Sequence, residues 1–194
     1  MKSMFLLLAL AAEPSELARV VFETDAGAIE IEVDARAPRT AANFLRYVDA
    51  GRYDGSSFFR TVREDNQREA KVPIAVIQGG VPESREREDF PPIALERTRD
   101  TGLQHSDGTV SMARSGPDSA TSSFFVCVGD QPALDFAGRR NPDGQGFAAF
   151  GRVVRGMDVV RKIHSSEATG ERLTPPVRIT KASRSAPARK PSPE

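Results

Sequence analysis

The chain has 194 residues, 39% of them apolar and 28% charged, with 27 basic side chains against 27 acidic. That length favours one domain with extensions and is ample for a core of its own. Balanced charge argues against a nucleic-acid binder, which would carry a basic excess to neutralise phosphates. One cysteine, Cys127, excludes an intrachain disulfide framework and a multi-cysteine zinc site, and two histidines leave little for histidine-rich metal chemistry.

Met1–Ala12 (MKSMFLLLALAA) opens with a lysine and runs apolar from Met4 to Ala12 until Glu13-Pro14 stops it. Nine apolar residues fall short of the roughly 20 that a spanning helix needs. A positive start, an apolar middle and small residues at Ala9, Ala11 and Ala12 predict a cleaved secretory signal over residues 1–12. The expected setting is therefore periplasmic or secreted, with no integral membrane span. The body of the chain, residues 13–182, reads as one domain. Ser183–Glu194 (SRSAPARKPSPE) holds three prolines and no large apolar side chain, so it is predicted to be a disordered tail.

Within the body, Arg19–Thr24 and Ala28–Asp34 flank the turn Asp25-Ala26-Gly27. Ile29, Ile31 and Val33 alternate with acidic residues, the period-two pattern of a half-buried strand. A helix follows: Pro38 suits its first turn, and Ala41, Phe44, Leu45 and Val48 share one face before Gly51. Further strands are predicted at Ser57–Val62, Ile74–Gln78, Thr109–Met112, Phe124–Val128, Phe147–Val154 and Pro176–Thr180. Phe124–Val128 is apolar throughout, as a strand covered on both faces would be. A second helix is predicted at Met157–His164. Strands without alternating βαβ units point to a barrel or sandwich with attached helices.

Most catalytic motifs are missing. Gly144–Ala149 matches the dinucleotide pattern GxGxxA in letters, yet a turn precedes it and a strand pattern follows, where nucleotide binding needs a strand and then a helix. No GxSxG elbow and no P-loop lysine occur. Cys127 sits in an apolar strand and reads as a small buried hydrophobe. His105, in a Gln-His-Ser-Asp-Gly loop, reads as a surface residue, and Glu83–Glu88 as a solvated loop.

One ordered set of segments carries more information: Phe58-Phe59-Arg60, Gln78-Gly79-Gly80, Ser111-Met112-Ala113, Gly116-Pro117, Ser123-Phe124-Phe125 and Phe150-Gly151-Arg152-Val153. Together with Ala37–Phe44, they resemble the cyclophilin family of peptidyl-prolyl cis-trans isomerases, from about Val20 to Ile179. The resemblance implies an eight-stranded antiparallel β-barrel capped by two α-helices, a shallow peptide groove, and no cofactor or metal. It implies a monomer acting on proline-containing unfolded or folding polypeptides. Arg60 matches the family's catalytic arginine and Gln78 its groove glutamine. Phe125 matches the floor of the proline pocket and Leu134 a wall. Ala113 matches a residue whose backbone meets extended substrate, and Phe147 stands where many members have histidine.

Departures from the family pattern bear on activity. Ala75 replaces an aromatic pocket wall, a volume that Phe147 could refill from the opposite side. Phe59, Arg114 and Ser123 replace a frequent histidine, asparagine and glutamine. Ala133 stands where many members have tryptophan, which implies weak cyclosporin binding. Arg63–Pro73 and Asp135–Gly146 are longer than the compact pattern, either shaping access to the groove or decorating the surface. Two function classes follow: a catalytic isomerase, favoured by Arg60, Gln78 and Phe125, and a non-catalytic proline-binding or chaperone module, favoured by the departures.

Overall fold

The computed structural model describes residues 17–82, 84–85 and 89–185. The leader, the end of the tail and most of the Glu83–Glu88 stretch lie outside the described residues. The strands are β1 (Arg19–Thr24), β2 (Gly27–Val33), β3 (Ser57–Val62), β4 (Val76–Gly80), β5 (Thr109–Met112), β6 (Phe124–Cys127), β7 (Ala148–Arg155), β8 (Ala168–Thr169) and β9 (Arg172–Arg184). The helices are α1 (Pro38–Asp49), the one-turn α2 (Thr98–Thr101) and α3 (Met157–His164). Eight strands pair antiparallel in the order β1-β2-β7-β5-β6-β4-β3-β9, and β9 closes the ring on β1. Closure leaves those strands no free edge. The two-residue β8 pairs with β9 as a hairpin on the outside of this ring.

Strand alternation decides what fills the barrel. Phe22, Ile29, Ile31, Phe58, Ile77, Val110, Met112, Phe124, Val126 and Phe150 are all buried in one core. Helix α1 adds Phe44, whose ring lies 4.8 Å from Phe150 and 5.7 Å from Phe124. Phe124 also meets Phe22 at 5.3 Å and Tyr53 at 5.5 Å, so with Phe44 and Tyr53 it forms the centre of the aromatic packing. Aromatic pairs of this kind contribute about 0.5–1.5 kcal/mol beyond their buried area. The Tyr53 hydroxyl, fully enclosed, donates to the Ser122 carbonyl at 2.8 Å.

The helices stand where their patterns place them, with differences in detail. On α1 the buried face includes Tyr47, and Leu45 is only partly covered. No side chain of its own caps α1. Instead the Glu96 carboxylate accepts the N–H groups of Arg39 and Thr40 at 3.1 and 2.7 Å, supplying from a distant loop the acceptors that a helix start lacks. At the β1–β2 turn, Gly27 has φ of +135°, and a Cβ there would lie 2.8 Å from Val159 of α3.

Two sequence expectations need correction. Ser183 and Arg184 are strand, not tail: Arg184 pairs with Val20 of β1, and its guanidinium holds Asp49 of α1 at 2.6 Å. A tail composition there gives no hint that β1 still offers a row of unpaired backbone groups. His105 is not a surface residue either, being only 2% exposed, because it packs beneath the groove described below.

β3 contains the irregularity that matters most. Phe58 is opposite Gly79 and Arg60 is opposite Gln78, so Phe59 is an extra residue against β4; the pairing with β9 is irregular at the same place, stepping from Val177 to Arg172. In an unbroken strand, residues 58 and 60 would face the same way. The bulge reverses the alternation. Phe58 points into the core, whereas Arg60 and Val62 face outward with Gln78 and Val76.

On the opposite wall, Glu32 of β2 ties three strands together. Its carboxylate accepts from Arg19 of β1 at 2.7 Å and from Arg152 of β7 at 2.8 Å. These bonds, Arg152's foremost, hold its pKa below the ordinary carboxylate value despite burial. A carboxylate with a depressed folded pKa stabilises the fold above its unfolded pKa of about 4.3, and that contribution is lost as pH falls through the folded value. Glu32→Gln is therefore expected to lower stability by about 0.5–1 kcal/mol at pH 7, since Arg152 is largely solvated. In urea unfolding, the gap between native and variant should close towards pH 3; an unchanged gap would contradict the linkage.

Candidate active site

The outward faces of four adjacent strands build the site as one cross-strand row. Arg60 is opposite Gln78, Gln78 is opposite Phe125, and Phe125 is opposite Ser111. Short-range register alone therefore lines up a cation, an amide and an aromatic ring. Behind them, a second apolar cluster of Val62, Ile74, Val76, Phe125, Cys127 and Leu134 supports the row from outside the barrel. Burial pushes the Cys127 thiol pKa well up, so it is a packing group, as its sequence context indicates.

Arg60 is aimed by two partners. Its Nε and Nη2 donate to Glu171 Oε2 at 2.8 and 2.6 Å, and Nη1 donates to Gln78 Oε1 at 2.8 Å. A guanidinium has five N–H donors in a rigid plane, so donors remain for a ligand in the groove. Glu171 was not singled out in the sequence. It lies in the β8–β9 turn, whose backbone docks on β3 through Thr61 N–H to the Glu171 carbonyl at 2.8 Å. With the partners 111 positions apart, neither spacing nor a motif marks this pair.

A cavity of about 230 Å³ lies in front of the row. All six residues singled out in the sequence line it: Arg60, Gln78, Ala113, Phe125, Leu134 and Phe147, joined by Ile74, Val76, Arg114, Arg140 and Asn141. It is smaller than the roughly 300–1,000 Å³ of small-molecule pockets, which suits one compact side chain. A wider hollow of about 700 Å³ beside it, lined by Arg63, Arg68 and Glu171 among others, has no aromatic floor.

The floor is ordered from several directions. Phe147 stands edge-on to Phe125 with centroids 5.3 Å apart, so its ring is turned towards the pocket, and it does add aromatic wall. Ala75 is not part of the lining; Ile74 and Val76 on either side of it provide aliphatic wall instead. Ala113 N–H is already taken by the Ser123 carbonyl at 2.9 Å, so only its carbonyl could pair with an extended peptide. Leu134 and Phe147 are tied by Phe147 N–H to the Leu134 carbonyl at 3.0 Å.

Beneath the floor, His105 stacks on Phe125 with centroids 6.0 Å apart and planes inclined by 17°. Its Nδ1 lies 2.7 Å from Asp135 Oδ1 and its Nε2 lies 2.9 Å from Ser111 Oγ. A neutral ring donating from Nδ1 and accepting the serine hydroxyl satisfies both neighbours. The order Ser-His-Asp matches that of a nucleophilic triad, but Ser111 is completely buried and no substrate atom could reach it. This relay is scaffolding: it braces the aromatic floor against the Asp135 loop. Asp135 and Phe125 lie well beyond His105 in sequence, which is why His105 reads as a polar loop residue.

The two long segments meet at the rim. Arg140 Nη1 donates to the Val72 carbonyl at 2.8 Å and to Gln67 Oε1 at 3.3 Å, joining 135–146 to 63–73. Arg114, with a side chain only 2% exposed, holds Asp143 through two bonds of 2.8 and 2.9 Å and the Gly146 carbonyl at 2.8 Å. Arg114 also lies 5.2 Å from the Phe147 ring centre. The segments therefore shape the groove and do not merely decorate the surface. Among the described residues, no helix is long and apolar enough to cross a membrane.

Comparison with known proteins agrees with this geometry. Residues 19–184 match the family model described as cyclophilin type peptidyl-prolyl cis-trans isomerase. A peptidyl-prolyl cis-trans isomerase of Streptomyces antibioticus is 40% identical over 151 residues, covering 76% of this chain and 83% of that protein. Peptidyl-prolyl cis-trans isomerase B of Escherichia coli is 37% identical over 146 residues, covering 74% of this chain and 82% of its own length. In fold, a crystal structure of a Cryptosporidium parvum cyclophilin type isomerase superposes with a TM-score of 0.71 at 18% identity, covering 88% of this chain and 98% of that one. With its closed barrel, outward Arg60–Gln78–Phe125 row and matched sequence from residue 19 to residue 184, the chain belongs to the cyclophilin-type peptidyl-prolyl cis-trans isomerases.

Proposed function

We propose that this chain catalyses cis–trans isomerisation of X-Pro bonds in unfolded or folding polypeptides, with Arg60 stabilising the twisted amide. The reaction breaks no bond. Its barrier, about 18–20 kcal/mol, is the loss of amide resonance, and uncatalysed exchange takes tens of seconds or more. Catalysis requires only that the site bind the twisted amide better than either planar isomer. The 230 Å³ cavity over Phe125, Leu134 and Phe147 offers the proline ring an apolar seat. As resonance is lost, the prolyl nitrogen regains a lone pair, and the guanidinium of Arg60 is a donor suited to it.

The observation that carries this reading is the clamp on Arg60 by Glu171 and Gln78 at the edge of that cavity. A donor fixed before the substrate arrives need not reorganise as charge develops. The leader-like Met1–Ala12 supports action in an exported compartment.

The test is cis–trans exchange of a short Ala-Pro-Phe peptide followed by NMR. The native protein should accelerate exchange, and Arg60→Ala should lose about 100-fold of that effect. Because arginine stays protonated, the rate should be nearly flat between about pH 6 and 8. Peptide binding without acceleration would replace the isomerase with a proline-binding module. A second outcome concerns Ala133, which offers neither the apolar area nor the N–H of an indole. Cyclosporin should inhibit more weakly than about 100 nM, an affinity of roughly 9–10 kcal/mol; tighter inhibition would overturn the role given to Ala133.

A further inference from the structure

Three arginines, Arg60, Arg114 and Arg140, line the 230 Å³ cavity, and no acidic residue lines it. Two of the three are neutralised: Arg60 by Glu171 at 2.6 Å and Arg114 by Asp143 at 2.8 Å. Arg140 is different. Its bonds go to the neutral Val72 carbonyl and Gln67 amide, both from Nη1, and among the described residues it forms no salt bridge. Its guanidinium thus brings to the rim a positive charge with no carboxylate in salt-bridge contact among the described residues, Glu171 acting on it only from farther off.

Resting on the isomerase reading, we propose that Arg140 is a specificity residue that binds a carboxylate on a client residue flanking the proline. The groove then favours acidic X-Pro or Pro-X segments over their neutral counterparts. Burial, foremost, and the neighbouring charge of Arg60 lower the Arg140 pKa while Glu171 pulls it the other way, so this partly desolvated cation gains from a negative group placed against it. The two bonds from Nη1 fix where the charge sits, leaving the Nε and Nη2 donors for a client oxygen. The rim position follows from the 135–146 segment, since Ala133 accepts the Arg140 N–H at 3.1 Å and holds the loop over the wall containing Leu134.

The experiment compares two pairs of acetylated, amidated peptides, Glu-Pro against Gln-Pro and Pro-Glu against Pro-Gln. Exchange rate and affinity are read from the same NMR samples, for native protein, Arg140→Gln and Arg140→Lys. For the native protein in about 0.01 M salt, one Glu peptide should exceed its Gln partner about three- to five-fold in affinity or kcat/KM. The advantage should vanish in about 1 M salt, where the screening length is about 3 Å, and in Arg140→Gln, and persist in Arg140→Lys. Parity for both pairs in native protein, or an advantage that survives Arg140→Gln, would overturn the proposal. Loss in Arg140→Lys as well would leave Arg140 only a loop-tying role. If native protein speeds neither Gln peptide, the isomerase reading fails separately, and the affinity ratios still decide the role of Arg140.

Discussion

A single extra residue in β3 separates what this barrel buries from what it offers to a ligand. Phe58 belongs to the aromatic core and Arg60 to the groove, yet in a regular strand they would face the same way. Phe59 absorbs the conflict as a bulge against β4, at the point where the pairing with β9 is also irregular. Had Arg60 pointed inward, it would have carried a charge into the ring of Phe22, Phe44 and Phe124, a position that costs several kcal/mol. Turned outward, it faces Gln78 and completes a row that ends at Ser111. The local departure from regular pairing is what allows a sequence dense in large apolar residues to build a polar site.

From that row the rest of the site follows by bracing. Glu171 and Gln78 fix the guanidinium, and His105 lies flat against the far face of Phe125. Asp135 then connects this floor to the loop that carries Arg140 and Asp143. In the proposed mechanism, where the whole difficulty is rotation about a partial double bond, rigid placement of one donor beside one apolar seat would be sufficient chemistry. That mechanism asks nothing of the buried Ser111 and Cys127.

How much of this was legible in the residues depends on range. The β1–β2 hairpin, both longer helices and the apolar β6 come from short-period patterning, which sequence exposes directly. The six pocket residues were legible through ordered family segments, and they do converge on one cavity. What stayed hidden was long-range pairing. Glu171 meets Arg60 across a turn that docks from the far end of the chain, and Glu96 caps a helix more than fifty positions away. His105 looked solvated because its neighbours in sequence are polar, whereas its neighbours in space are an aromatic ring and two hydrogen-bonding partners. Ser183 and Arg184 looked like tail because composition does not register an unpaired strand edge.

In the proposed mechanism a braced guanidinium, and not merely a positive charge, lowers the barrier to rotation. Arg60→Lys tests it most directly, since lysine keeps the charge and gives up the planar fork that meets Glu171 and Gln78 together. Exchange rate and peptide affinity should be measured on the same samples by NMR. The expected result is a rate lower by at least about ten-fold, roughly 1.4 kcal/mol, with affinity changed by less than two-fold. A rate that survives the substitution, or one that falls only in step with affinity, would contradict it.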